Sequence, residues 1–232
     1  MRTLSRINRF VTIALLAITI GCGNGGGVGE PAAVSEVRVI HLSPNAPAFD
    51  VSVDSGPVLE GMSFTTSSEY IGIDSGSRLV EFKVSGTAKA AINFPLIFKP
   101  ETRYSLIAIN SFRSIETLLL PDQTFAPAGN AAIRIVHGAP ALPKVDIYLT
   151  ATDEELEKAV PILRNVPFKV ASSYITVRPG QHRIRVTAAG SKAVAIDSGT
   201  ITLTEGQVTT ALASDTLGGG PPFSFLLAKD NL

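Results

Sequence analysis

Hydrophobic and polar residues alternate along much of the chain with the period of two that is typical of β-strands. Val37, Val39 and His41 fall on one face of the first such stretch, and Arg38 falls on the other. The stretch Tyr104–Ile109 is almost continuously apolar, which predicts a strand that is buried on both faces. Other stretches that favour strands are 49–54, 79–84, 115–120 and 223–228.

The pattern occurs twice. The stretch Val37–Pro44 recurs as Ile133–Pro140, 96 positions later. Tyr70 recurs as Tyr174, 104 positions later, so the second copy carries about eight extra residues in between. Such self-similarity predicts two tandem copies of one domain. Further matched pairs are Phe64 and Phe168, Ser68 and Ser172, Ile71 and Ile175, Gly76 and Gly180, and Gly86 and Gly190.

Each copy has seven or eight short strand-like stretches, in a chain with 20 Gly and 15 Pro. This favours an all-β protein made of two tandem antiparallel β-sandwich domains, either immunoglobulin-like or transthyretin-like. The expected boundaries are a signal peptide at 1–21, a flexible tether at 22–35, repeat 1 at 36–122, a linker at 123–131 and repeat 2 at 132–232.

The extra residues of the second copy lie around Thr152–Ala159. Thr152 and Glu155 have the spacing of a capping box, and Pro161 would end a helix. We therefore expect a short helix inserted in a loop. Its acidic run is expected to be a solvated helix face, and a calcium site is the alternative.

The N-terminus has the features of a secretory signal. Arg2, Arg6 and Arg9 precede a largely apolar run at 10–20, which is too short to span a bilayer. The only cysteine, Cys22, follows directly.

Residues 18–22 resemble a bacterial lipobox, although Thr19 stands where that motif usually has leucine. The resemblance implies a lipidated Cys22 in the bacterial cell envelope, at the outer membrane if the host has two membranes. An ordinary signal peptide with an incidental cysteine is the alternative. If Cys22 is lipidated, no thiol is left for a disulfide or a thiolate metal site.

Beyond residue 21 the chain has 17 basic and 20 acidic residues. This weakly acidic balance, without a basic and aromatic cluster, gives no reason to expect nucleic acid as a partner. The chain has no Trp and only four Tyr, so the signal for carbohydrate binding is weak. Tyr148 is expected to face outward, whereas Tyr70 and Tyr174 are expected to be packed.

A motif of His, Pro, Pro and Asp opens each copy. The strand alternation places His41 on the core face and Asp50 on the opposite face, so the two cannot easily share a ligand. We therefore interpret the motif as structural, with prolines that stiffen a connection, and a weak metal site as the alternative. The motif residues are His41, Pro44, Pro47 and Asp50 in repeat 1, and His137, Pro140, Pro143 and Asp146 in repeat 2.

This motif, followed by Tyr70 or Tyr174 and an alternating strand, resembles the domain of unknown function 4397 family. The resemblance covers residues 36–232 and implies an exported bacterial protein, often with tandem copies and often a lipoprotein. It implies no activity.

The sequence contains no motif that predicts catalysis or a cofactor, and His182 has Arg78 as its equivalent in repeat 1. We expect a membrane-anchored binding or adhesion module with an unknown envelope or extracellular partner. A structural spacer is the second interpretation, and an enzyme or weak metal-binding protein is the third. The copies differ most in the loops 150–165 and 215–222, so these loops, beside an exposed Phe223, are expected to contact the partner.

Overall fold

The computed structural model describes residues 33–231. The signal peptide, Cys22 and most of the expected tether lie outside the described residues. Within 33–231 the chain forms strands and one short 3₁₀-helix, η1 (Phe112–Ser114), so the prediction of an all-β protein is confirmed. No helix in this range is long and apolar enough to cross a membrane.

Repeat 1 contains nine strands, the first of which begins two residues before the expected start of the repeat at residue 36. They are β1 (Val34–Leu42), β2 (Phe49–Val53), β3 (Gly56–Met62), β4 (Thr66–Ser67), β5 (Ile71–Asp74), β6 (Gly76–Val84), β7 (Ala90–Phe98), β8 (Arg103–Ile109) and β9 (Glu116–Pro121).

Repeat 2 contains eight strands, and the β9–β10 connection occupies residues 122–130. The strands are β10 (Ala131–His137), β11 (Val145–Thr150), β12 (Leu163–Val166), β13 (Ile175–Val177), β14 (Gly180–Ala188), β15 (Val194–Leu203), β16 (Val208–Ser214) and β17 (Ser224–Lys229).

Both repeats have the same two-sheet topology. In repeat 1 the outer sheet has the order β3-β2-β6-β7, and the inner sheet has the order β4-β1-β8-β9 with β5 also paired to β1. In repeat 2 the outer sheet is β12-β11-β14-β15 and the inner sheet is β13-β10-β16-β17. The sandwich prediction is therefore confirmed. One pair in each inner sheet is parallel, β1 with β8 and β10 with β16, which alternation alone cannot reveal.

Each repeat has a hydrophobic core between its own two sheets. The first core combines aliphatic residues with aromatic ones, and Phe49, Phe82 and Phe98 are almost completely buried there. Aliphatic residues fill the second core, which includes Ile133 and Ile184. Because each sheet turns one side of its strands toward this core, the period of two in the sequence matches the burial.

A third hydrophobic cluster lies between the two inner sheets. Its buried members from repeat 1 are Ile40, Leu42, Ile107 and Ile109, and those from repeat 2 are Val136, Leu212 and Ala228. The central strands β1, β8, β10 and β16 are therefore covered on both faces, as predicted for Tyr104–Ile109. The described residues accordingly form one compact unit with four stacked sheets.

The predicted helix at Thr152–Ala159 is wrong. The segment folds as successive turns, with Lys158 N donating to Glu155 O at 3.1 Å and Ala159 N donating to Leu156 O at 3.1 Å. A segment this short gains too few helical hydrogen bonds to offset nucleation. Tertiary contacts then decide its shape, because Leu156 and Ala159 pack on Tyr148.

Tyr148 was expected to face outward and is 2% exposed. It does lie on the outer side of the outer sheet, but the inserted segment covers it, and Lys192 Nζ lies 4.7 Å from its ring centroid. The same lysine donates to Leu156 O at 2.6 Å and Ala159 O at 2.8 Å, which fastens the insert to the sheet.

The loop 215–222 is also engaged within the molecule. Gly218 N donates to Pro44 O at 2.7 Å, so this loop of repeat 2 is bonded to the first connection of repeat 1. Phe223 is half-buried and packs against the core of repeat 2, so the expectation that it is exposed is wrong. Leu217 is 71% exposed at the tip of the loop.

Candidate functional site

His41 lies buried at the end of β1. Its Nε2 lies 3.1 Å from Pro47 O, and its Nδ1 accepts a hydrogen bond from Ser43 N at 3.2 Å. The ring stacks on Phe49 with 4.6 Å between centroids. Both ring nitrogens therefore have partners within the chain.

His137 occupies the equivalent place at the end of β10. Its Nε2 lies 3.0 Å from Pro143 O, while its buried Nδ1 has no hydrogen-bond partner among the described residues. Burial lowers the pKa of both His41 and His137, although the bonds to Pro47 and Pro143 act in the opposite direction. Both imidazoles are thus neutral near pH 7, with Nε2–H donating to the carbonyl.

Asp50 and Asp146 lie on the opposite side of their strands from the histidines. Asp50 Oδ1 accepts from Gly61 N at 2.8 Å and from Ser85 Oγ at 2.7 Å, and Asp146 accepts from Asn165 N at 2.8 Å. Gly86 N and Gly190 N also donate to Asp50 and Asp146. Hydrogen bonds from Gly61, Ser85 and Gly86 lower the pKa of Asp50.

The prolines of the motif lie in the connections that follow β1 and β10. Pro44 is the second residue of a turn in which Ala46 N donates to Ser43 O at 3.3 Å, and Pro140 holds the same place in the turn closed by Leu142 N and Ala139 O at 3.2 Å. Proline favours this turn position because its φ is already fixed.

The structure therefore does not bring the histidine and aspartate of either motif together. In residues 33–231, no three His, Cys, Asp or Glu side chains form a group that could hold a metal ion. His182 contacts Arg178 O at 2.8 Å, and its counterpart Arg78 donates through Nε to Asp74 O at 2.9 Å. Since 74 and 178 are also equivalent positions, the side chains of His182 and Arg78 form hydrogen bonds to equivalent turns in the two repeats.

The structure does bring together a set of polar residues that the sequence analysis did not single out. They lie between the two inner sheets, beside the third hydrophobic cluster, and we call them the junction cluster. Repeat 1 contributes Arg38, Tyr70, Ser105 and Asp122, and repeat 2 contributes Arg134, Tyr174, Thr210 and Asp230.

Each arginine of the junction cluster reaches across to the other repeat. Arg38 Nη2 forms an ion pair with Asp230, and Arg38 Nη1 donates to Lys229 O at 2.6 Å. Reciprocally, Arg134 Nη2 lies 2.5 Å from Asp122 Oδ1, and Arg134 Nη1 donates to Pro121 O at 3.0 Å. The two halves are therefore related by an approximate two-fold axis, as in an isologous dimer interface.

Each carboxylate is held by its own repeat. Tyr70 donates to Asp122 Oδ2 at 2.7 Å, and Tyr174 donates to Asp230 Oδ2 at 2.8 Å. Ser105 donates to Asp122 at 2.7 Å, and Thr210 Oγ1 donates to Asp230 at 2.8 Å.

The tyrosines also contact the arginines. The Arg38 guanidinium carbon lies 5.1 Å from the Tyr70 ring centroid, and that of Arg134 lies 4.8 Å from the Tyr174 centroid, within cation–π range. The pKa of both phenols is raised above its usual value, mainly because the rings are buried. They therefore remain protonated donors to the carboxylates.

The four charges are almost inaccessible to solvent. The side chains of Arg38 and Arg134 are 2% and 4% exposed, and those of Asp122 and Asp230 are 0% exposed. Burial raises the pKa of Asp230, and the Arg38 guanidinium opposes that increase. Removing one partner from such a pair is expected to cost about 3–5 kcal/mol, because the other charge is left uncompensated.

Beside the junction cluster, the two repeats contribute residues of different size to the interface. Leu42 of repeat 1 corresponds to Gly138 of repeat 2, and the two are in contact across the interface. A Cβ at Gly138 would lie 3.1 Å from Leu42 Cδ1 and 2.6 Å from Ala213 O. The glycine at position 138, where repeat 1 has a leucine, thus leaves the space that the Leu42 side chain occupies.

Two grooves flank the junction cluster at equivalent positions. Residues Ser67–Tyr70 line a groove of about 320 Å³ together with Lys229, and residues Ala171–Tyr174 line one of about 460 Å³ together with Pro121. Arg38 lies at the first groove and Arg134 at the second. Both grooves carry serine hydroxyl and main-chain groups, and exposed charged side chains line the first of them.

One signal in the sequence could have indicated this site. Arg38 and Arg134 are equivalent and share the strand face of Ile40 and Val136, where a solvated arginine is unexpected. The partners could not be inferred, because a sequence pattern does not show that two inner sheets face each other.

Comparison with known proteins gives a family and little else. No curated protein matches the chain. One similar structure is that of a streptococcal virulence factor described as binding alpha-glucan, at 9% identity and a TM-score of 0.25, covering 77% of this chain and 92% of that chain. Another is the carbohydrate-binding module CBMbc from Eubacterium rectale Amy13K in complex with maltoheptaose, at 12% identity and a TM-score of 0.24, covering 84% of this chain and 96% of that chain.

Similarities with TM-scores this low support no inference about this chain. The family model described as domain of unknown function (DUF4397) matches residues 35–148 and 153–232, leaving out only residues 149–152 within that range. The matched segments span both repeats, so the chain belongs to the DUF4397 family, as its sequence resemblance predicted.

Proposed function

We propose that this chain is a lipid-anchored, non-enzymatic protein of the bacterial cell envelope that binds a partner through the two grooves at the repeat junction. The observation that carries the proposal is that the molecule builds equivalent grooves twice and fixes the base of each with the buried junction cluster. Preorganised polar side chains in a concave surface are what a binding site needs.

The chemistry of the buried groups supports binding over catalysis. His41 has both nitrogens engaged, and the arginines and carboxylates of the junction cluster bond one another. A general base must reach a substrate proton, and none of these groups points freely into a groove. The groove linings combine apolar surface with hydroxyl and main-chain groups, which favours a ligand that offers both apolar contact and hydrogen-bonding groups.

The anchor rests on the lipobox resemblance at Cys22. The Cys22→Ala variant should leave the membrane fraction and lose incorporation of labelled palmitate. Because the substitution lies outside the β-sandwiches, the melting temperature of the released protein should match that of the unaltered domains. Continued membrane attachment with intact label would contradict lipidation.

The binding proposal is tested by blocking the grooves. Glu69 and Ser173 are exposed, repeat-equivalent and located one in each groove, so Glu69→Arg and Ser173→Arg would fill them without entering a core. Chemical crosslinking followed by pull-down from intact host cells should recover less partner with either variant. Lys89→Glu, an exposed change that lines neither groove, is the matched control. Unchanged recovery with both groove variants would show that the partner binds elsewhere.

A spacer that holds other components at a fixed distance from the membrane is the second candidate. It is favoured by the rigid junction, in which the third hydrophobic cluster, the ion pairs and the Gly218–Pro44 hydrogen bond all connect the repeats. A spacer would recover the components that it holds, and in equal amounts from the groove variants and the control.

A further inference from the structure

The interface between the repeats depends on non-covalent contacts that come in reciprocal pairs. Arg38 of repeat 1 bonds Asp230 of repeat 2, and Arg134 of repeat 2 bonds Asp122 of repeat 1. Apolar residues of both inner sheets close the space beside them. Every one of these contacts could form equally well between two different chains.

Beyond Asp122, which belongs to the junction cluster, the covalent connection contributes little to this pairing. Residues 123–130 include exposed residues such as Phe125, which is 72% exposed. Several hydrogen bonds of this segment are local, such as Asn130 N to Pro127 O at 3.0 Å and Asn130 Nδ2 to Ala128 O at 2.9 Å. The interface, and not the linker, therefore determines which repeat pairs with which.

We propose that this interface also binds a second copy of the chain by reciprocal exchange, so that repeat 1 of each chain pairs with repeat 2 of the other. The exchanged dimer contains two copies of the native interface and leaves no inner sheet uncovered. Its symmetry is closed, so the assembly stops at two chains.

The contact between Leu42 and Gly138 makes the pairing selective. Two copies of repeat 1 would place Leu42 against Leu42, where the observed interface has a glycine with no room for a Cβ. Two copies of repeat 2 would place Gly138 against Gly138 and leave a void. Only the pairing of repeat 1 with repeat 2 fills the space, whether within one chain or between two.

Concentration decides between the two forms. A short flexible linker gives its two ends an effective concentration in the millimolar range. Dilute chains are therefore closed monomers. Exchange requires the interface to open while chains are crowded together.

Charge reversal provides a direct test. In an Arg38→Asp chain two carboxylates face each other across the interface, and in an Asp230→Arg chain two guanidinium groups do. When the two full-length variants are mixed, exchange brings the altered repeat of one chain against the altered repeat of the other and restores opposite charges. In the same dimer, the unaltered repeat 2 of the Arg38→Asp chain pairs with the unaltered repeat 1 of the Asp230→Arg chain.

After refolding from denaturant, the equimolar mixture should give a species of twice the chain mass that contains one copy of each variant, as measured by native mass spectrometry. Either variant alone should give no such dimer, whether it stays monomeric or aggregates. The chain that carries both substitutions should fold as a monomer when dilute. A mixture that behaves as the sum of the separate variants, while the doubly substituted chain folds, would overturn the proposal.

A second measurement does not depend on the folding of any variant. Unaltered chains with and without isotopic label are unfolded, mixed at high concentration and refolded together. Exchange predicts a dimer of intermediate mass when the refolded mixture is measured without dilution. Recovery of monomers alone would overturn the proposal equally.

Discussion

The two repeats share their inner sheets far more closely than their outer sheets. At the junction, Arg38 and Tyr70 have the identical counterparts Arg134 and Tyr174. On the outer sheet, Ser52 corresponds to Tyr148, which is covered by an insert that repeat 1 lacks. The comparison teaches that the arginine and tyrosine facing the other repeat are kept in both copies, whereas the outer face keeps the pair Asp50 and Asp146 but has diverged at the position of Ser52 and Tyr148.

Leu42 and Gly138 are equivalent positions at the junction that differ strongly in size. This difference is also explained by the packing of one repeat on the other. Two repeats that pack on each other need complementary surfaces, and a leucine on one side requires space on the other. The difference is thus a product of pairing.

The largest expected effect is at the buried charges. Asp230→Ala should lower the free energy of unfolding by about 3–5 kcal/mol, because it removes the direct partner of the buried Arg38 guanidinium and leaves only the Asp122 carboxylate at 3.9 Å. Asp122→Ala should cost a similar amount through Arg134, since the two halves are equivalent. Urea unfolding measures both, and Asp74→Ala, at a side chain that is 61% exposed, serves as the control. A cost below about 0.5 kcal/mol for either buried position, the range of surface substitutions, would contradict the equivalence.

The contact between Leu42 and Gly138 should give the next effect. Leu42→Ala should cost about 2–5 kcal/mol, as expected when a buried leucine leaves a cavity. Gly138→Ala should cost about 1–3 kcal/mol by overpacking, because its Cβ would lie 2.6 Å from Ala213 O. Both values come from equilibrium unfolding. If Gly138→Ala proved neutral, the explanation of this difference between the repeats would fail.

The outer sheet of repeat 2 is expected to depend on the ring of Tyr148. Tyr148→Ser, which introduces the residue type found at position 52, should cost about 1.5–3 kcal/mol through lost burial. Tyr148→Phe keeps the ring and should stay within about 0.5 kcal/mol. Equal losses in the two variants, measured by thermal unfolding, would show that the hydroxyl and not the ring is important.

The smallest expected effect is a pH dependence shared by both repeats. Burial lowers the folded-state pKa of His41 and His137 below 6.5, so the unfolded chain binds more protons than the folded chain as the pH falls. Their contribution to stability is therefore intact above about pH 6.5 and decreases below it, toward the folded-state pKa. Urea unfolding at pH 7, 6 and 5 should show this decrease.

The variant His41→Gln/His137→Gln should flatten the pH profile. The control His182→Gln should leave the profile unchanged, because that ring serves an exposed turn. A profile with the same slope in the double variant would assign the pH dependence to other groups.

The sequence predicted the all-β fold, the tandem repeat and the burial of β8, because these follow from local periodicity and self-similarity. The alternation also placed His41 and Asp50 on opposite faces of their strands, which is how the structure has them. These features depend on neighbours along the chain.

Features that depend on long-range packing could not be predicted in this way. The turns at Thr152–Ala159 replaced the predicted helix because Tyr148 and Lys192 hold them. The junction cluster escaped prediction because Arg38 and Asp230 are 192 residues apart, and only the stacking of the inner sheets brings them together.

The parallel pairing of β1 with β8 has a mechanical consequence. The chain enters the first sandwich at Val34 and runs directly into a central strand, whose ladder with β8 extends from Glu36 to Leu42. A pull on the N-terminal side of this strand, along its own axis, would load all seven residue pairs of that ladder in shear at once. A strand loaded in shear cannot detach one hydrogen bond at a time, so the fold should resist tension at the end where an anchor would apply it.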